Sequence, residues 1–154
     1  MMPRMDDLLA AIRDAGLPPE SFGPEEAATI SDRKGAYVLL LRLDVPAEFK
    51  LRTAEAASLT PGWFVYCGSA KGPGGLRARL RRHFRRDKAL HWHIDRLTAV
   101  AARVAAVPVQ DGDECALVAA LLANRHFEIA AAGFGSSDCR QCGSHLLRYR
   151  ASAG

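Results

Sequence analysis

Apolar residues along 5–15 (Leu8, Leu9 and Ile12, with Ala10 and Ala11) recur at helical spacing. Gly16 and the Pro18-Pro19 pair end that helix. From Ser21 to Lys34 the composition turns to Gly, Pro, Glu, Asp and Ser, which predicts a linker or loosely held arm, so the main domain should open near Gly35. GAYVLLLRL (35–43) is an apolar run with one charge, the pattern of a largely buried strand. WFVYCG (63–68) is a second strand, rich in aromatic and β-branched residues. The stretch 44–62 between them has room for an extra short element and closes on a Pro61-Gly62 turn.

SAKGPGG (69–75) reads as a small-residue loop leading into a helix over 76–86. HWHIDRLTA (91–99) has a helical pattern. The valines and Pro108 of 100–109 favour a strand, and 111–113 makes a turn. A helix is predicted over 114–130 with Val118, Leu121 and Leu122 on its apolar face, then a turn at 133–139 and a final strand over 145–150. This order predicts an α/β (α+β) domain over 35–150, a small mixed central sheet flanked by helices, preceded by a helix and linker arm over 1–34.

The chain has 154 residues, 49% of them apolar, which suits one domain with a real core. No apolar run approaches the roughly 20 residues that span a bilayer, and the start is acidic where a signal peptide is basic. A cytoplasmic protein without a membrane partner is expected. The four cysteines are expected to be reduced thiols. Net charge is +4, yet residues 1–34 carry seven acids and four bases, a balance of −3, leaving +7 on the remainder. The excess is densest over 77–88, fitting either a polyanion-binding patch or a solvated basic helix face.

At 100° per residue, Leu76, Leu80 and Phe84 form one stripe of the basic helix. Arg79 and His83, spaced i and i+4, share one edge of it. There they either line a cleft, where a guanidinium suits phosphate, or pair with a nearby acid and fill space. Lys71 and the glycines of 69–75 fit two readings: a phosphate cradle of backbone N–H groups or a plain flexible turn.

GAY (35–37), VYCGSAKG (65–72) and LRARLRRHF (76–84), in this order, resemble the GIY-YIG nuclease superfamily, with the two triplets standing here as GAY and YCG. HWHID (91–95), the Glu114-Cys115 pair and GFGSSDC-x-x-C-x-S-H (133–145) resemble a widespread, functionally unassigned branch of it. The resemblance implies a DNA endonuclease that hydrolyses phosphodiester bonds with Mg²⁺ or Mn²⁺. It implies that Tyr37 and Tyr66 are the motif tyrosines, Arg79 the catalytic arginine, His83 its partner one turn later, and Glu114 the metal ligand. His91 or His93 matches an accessory histidine, and Lys71, Arg77, Arg82 and Arg86 join them as nucleic-acid contacts. Tyr37 and Tyr66 lie farther apart than the family's triplets usually do, implying an insertion, and the family's late asparagine is missing, leaving Ser137, Asp138 or His145 as substitutes.

The chemistry is consistent with these roles. Mg²⁺ commonly takes one or two carboxylates and keeps several waters, so a single Glu114 suffices, although an acid in a first helical turn also serves capping alone. Tyr37 with His83 would activate water while Tyr66 positions it, or the two tyrosines exchange roles; a histidine of ordinary pKa near 6.5 suits a relay. Trp92 stacks on a base or sits in the core, and Asp95 orients His91. Cys139, Cys142 and His145 also read as three ligands of a zinc site, with Cys115 or His126 as a fourth. The rival to the nuclease reading is a nucleic-acid-binding domain of the same fold that does not cut. DNA is the expected partner, RNA is a second polyanion that fits, and monomer and homodimer remain equally open.

Overall fold

The computed structural model describes residues 2–50, 56–90, 93–131 and 144–151. Its elements are α1 (Met5–Asp14), a 3₁₀ turn (Pro24–Thr29), β1 (Gly35–Leu43), β2 (Ala47–Lys50), β3 (Ala56–Leu59), β4 (Gly62–Ala70), α2 (Gly75–Phe84), α3 (His93–Val100), β5 (Arg103–Gln110), α4 (Glu114–Leu122), β6 (Phe127–Ile129) and β7 (Leu146–Tyr149). Five strands form one sheet in the order β5-β1-β4-β7-β6, and the expected α/β class holds. Its described pairings are all antiparallel where strand–helix alternation had suggested a mixed sheet. β2 and β3 pair as a separate two-stranded sheet inside the stretch expected to hold an extra element.

β1 lies between β4 and β5 and is apolar along its length because helices cover both of its faces. Leu39 and Leu41 face Leu76 and Leu80 of α2, Ile94 and Leu97 of α3, and Ile30. Ala36, Val38 and Leu40 face Leu8, Ala11 and Ile12 of α1 and Leu117, Val118 and Leu121 of α4. The result is a sheet between two helical layers. No helix among the described residues is long and apolar enough to cross a membrane.

The expectation that 1–34 ends in a loosely held arm is corrected. Leu8, Ile12 and Ile30 are fully buried, so the segment contributes to both cores. Phe22 exchanges two backbone hydrogen bonds with Ala106 of edge strand β5, at 2.8 and 2.9 Å. Trp63 Nε1 donates to Pro3 O at 2.6 Å. The Gly- and Pro-rich composition marks where regular structure breaks, not where the chain leaves the surface.

Two helix ends shift. α4 stops at Leu122, because Asn124 Oδ1 accepts the His126 amide at 2.9 Å and turns the chain, and Phe127–Ile129 then pairs with β7. Leu122 is exposed and Leu117 takes its expected place in the core. α2 ends at Phe84, where Lys88 Nζ donates to the carbonyls of His83 and Arg85 at 2.8 and 2.7 Å.

Because Ile12 and Ile30 are core residues, Ile12→Ala and Ile30→Ala should each cost about 2–5 kcal/mol in urea unfolding of the full chain. Losses near zero would restore the loose-arm description.

Candidate active site

The β1–β4 register places Tyr37 and Tyr66. Tyr37 stands opposite Gly68 and Tyr66 opposite Leu39, so the tyrosines are diagonal neighbours across the ladder. A Cβ at position 68 would collide with the Tyr37 phenol, which gives the last residue of the YCG triplet a steric reason to be glycine. Gly68→Ala should therefore push Tyr37 out of place, costing about 1–3 kcal/mol as an overpacked site does. A thermal midpoint equal to wild type would show that the ring does not rest there.

α2 brings the next two residues. His83 shares the buried face of α2 with Leu76 and Leu80, so it sits within the stripe instead of at its edge. Its Nε2 lies 2.7 Å from Tyr37 Oη, and its Nδ1 has no hydrogen-bond partner among the described residues. Burial first, then the nearby Lys88 charge, pushes the imidazole down to about 3. Burial raises Tyr37 well above its ordinary value; the neighbouring Tyr66 and Glu114 also raise it, while the charge and hydrogen bond of Arg79 pull it down. Tyr66 is raised by burial and then by Glu114. The ordinary-pKa relay expected for His83 is thus corrected: both members of the pair are neutral at pH 7.

Glu114 opens α4 on the far side of the same sheet end. Asp113 serves as the N-cap, its side chain accepting from Ala116 N at 2.9 Å, so capping does not account for Glu114. Glu114 Oε2 lies 3.9 Å from Nδ1 of buried His145, whose ring stands edge-on to Tyr66 at 6.4 Å. Sequence reasoning reached His145 only as a zinc ligand or asparagine substitute, because nothing local marks its approach to α4.

Three arginines expected to contact nucleic acid make hydrogen bonds within the protein, Arg86 from an exposed position. Arg82 makes a two-pronged pair with buried Asp95, both bonds 2.8 Å. Arg77 Nε donates to Ile30 O at 2.7 Å, and Arg86 donates to Ala101 O. Asp95 is accordingly a partner of Arg82, and the orienting contact expected between Asp95 and His91 falls outside the described residues. The phosphate cradle expected over 69–75 loses the helix amides that follow it. Leu76 N and Arg77 N already donate to Arg33 O and Ser31 O at 2.9 and 3.0 Å. Lys71 is exposed, as are Arg81 and Arg85, which sequence reasoning did not single out. An open cleft lined by Gly72, Pro73, Gly75, Ala78, Arg79 and Arg82 runs beside the first turns of α2.

His91, Trp92, Ser137, Asp138, Cys139 and Cys142 lie outside the described residues, as does the side chain of His93. Cys67 is buried and Cys115 half-buried. Among the described residues no group of three His, Cys, Asp or Glu side chains could hold a metal ion.

The family model described as Domain of unknown function DUF123 matches residues 36–153. The chain belongs to the DUF123 family. No curated protein and no solved structure matches it. The DUF123 match begins one residue after Gly35 and spans every residue of the cluster from Tyr37 to His145, while α1 and the 3₁₀ turn precede it.

His83 is neutral in the fold at pH values where the imidazole of the unfolded chain takes up a proton. The stability this difference supports is complete above pH 6.5 and is lost as pH falls toward 3. Between pH 6 and 4, wild type should lose stability more steeply than His83→Gln, by up to about 1.4 kcal/mol per pH unit. Parallel curves from urea midpoints across that range would refute it.

Proposed function

We propose that the protein is a divalent-metal-dependent endonuclease of the GIY-YIG type, cleaving DNA phosphodiester bonds. The observation that supports this is the convergence of Tyr37, Tyr66, Arg79, His83 and Glu114 from four separate elements onto one end of the sheet, where their charges bear on one another. Arg79 binds the scissile phosphate and offsets the charge that grows there. Glu114 is a hard oxygen donor, and a Mg²⁺ or Mn²⁺ ion with several waters needs only one or two such groups, so the donor set fits. A bound cation would polarise the phosphate and acidify a water.

The chain's own residues orient the reactants. Tyr37, hydrogen-bonded to His83 Nε2, is fixed where its oxygen can hold a water, and Tyr66 flanks it. His83 is a fixed neutral partner of Tyr37 in the resting site and not a proton store. With Arg77 and Arg82 hydrogen-bonded within the fold, phosphates flanking the cut fall to the exposed Lys71, Arg81, Arg85 and Arg86. We place the protein in the cytoplasm, on its composition. A second reading, a nucleic-acid-binding domain of the same fold that does not cut, is favoured by one observation: neither tyrosine nor His83 is poised as a base at neutral pH.

The test is cleavage of labelled single-stranded, duplex and branched DNA and of RNA, with Mg²⁺, Mn²⁺ or EDTA. Wild type should cut only with metal, and Glu114→Ala and Arg79→Ala should each lose about 100-fold or more. Salt-sensitive binding without cutting on any substrate would establish the second reading.

A further inference from the structure

His145 enters the site from the start of β7, placed by the backbone. Its carbonyl accepts from Cys67 N at 3.0 Å, which carries the β4–β7 ladder one residue past Leu146. On the other side of it, Ser144 Oγ accepts the Leu146 amide at 3.1 Å and fixes the turn. The imidazole is buried, lies edge-on to Tyr66, and points Nδ1 at the Glu114 carboxylate. Its Nε2 is sealed from solvent and has no hydrogen-bond partner among the described residues.

A buried polar atom without a partner costs about 1–3 kcal/mol, and an unpaired N–H is the dearer case. The proton therefore belongs on Nδ1, where a carboxylate accepts it, with only a lone pair left at Nε2. The 3.9 Å separation exceeds a hydrogen bond of about 2.9 Å by roughly 1 Å, a gap that the partly exposed Glu114 side chain closes by turning. We infer that His145 is a positioning residue of this site, whose Nδ1–H holds the Glu114 carboxylate in its working direction. Hydrogen-bonded partners behind a ligating carboxylate fix its orientation, and their loss commonly costs 10–100-fold in metal affinity. The inference rests on the metal-ligand role proposed for Glu114.

Two measurements on the full chain test it. In the metal-free protein, ¹⁵N NMR of the His145 ring should show the Nδ1–H tautomer, and Glu114→Gln should move those signals. An Nε2–H tautomer, or signals indifferent to Glu114→Gln, would overturn the inference. In Mn²⁺ titrations followed by electron paramagnetic resonance, His145→Ala and His145→Gln should weaken binding about tenfold or more. His145→Asn, whose amide N–H falls where Nδ1–H was, should restore most of it. Affinity unchanged in His145→Ala, or lost equally in the Asn variant with a lowered thermal midpoint, would overturn it. If wild type binds Mn²⁺ no better than Glu114→Gln, the metal-ligand role of Glu114 fails, and the NMR result still decides the Glu114–His145 contact.

Discussion

Leu76 and Arg77 give their backbone N–H groups to the carbonyls of Arg33 and Ser31, and the placement of α2 follows from those two bonds. An uncapped helix start leaves several amides unsatisfied, and here the chain just before β1 satisfies them with backbone instead of a side chain. Gly75, at a positive φ of 60°, permits the close approach, since a Cβ there would strike Asp32 O. Arg77 reinforces the junction by reaching back to Ile30. Arg79 and His83 ride on the helix so fixed, and His83 in turn meets Tyr37 from the central strand. The residues that cap α2 lie before the DUF123 match, so this site leans on a segment its family does not define.

Burial then sets the character of the cluster. Two phenols and an imidazole in low-dielectric surroundings all resist charge, while Arg79 and Glu114 carry opposite charges at its margins. The neutral core of the site is an arranged set of hydrogen-bond donors and acceptors, and under the proposed function its fixed charges would meet an anionic substrate and a cation. Preorganised dipoles of this kind need little rearrangement when charge develops.

Much of this was legible in the sequence. β1, β4, α2 and the start of α4 follow from apolar runs, glycine punctuation and the Asp-Gly-Asp turn. The i, i+4 spacing of Arg79 and His83 put both on one side of α2. Three features were not legible. The apolar spacing of 114–130 runs on through Phe127–Ile129, so three residues that pair with β7 read as the end of a helix. The lone apolar residues Phe22 and Ile30 have no periodicity, and only tertiary contact makes them core. Charge counting cannot tell an arginine facing solvent from Arg82, whose buried partner Asp95 lies 13 residues away.

The bridge between Phe22 and Ala106 has one more effect. β5 is an outer strand of the sheet, with a row of backbone groups that another chain could pair with. Phe22 takes up part of that row, and Pro108 contributes no N–H to the remainder. At the opposite border, β6 is three residues long, and an exposed Glu128–Arg150 ion pair stands beside it. Neither border offers a long, flat template, so the sheet is poorly suited to growth by addition of a foreign strand, a safeguard against aggregation within the same segment that holds α2 in place.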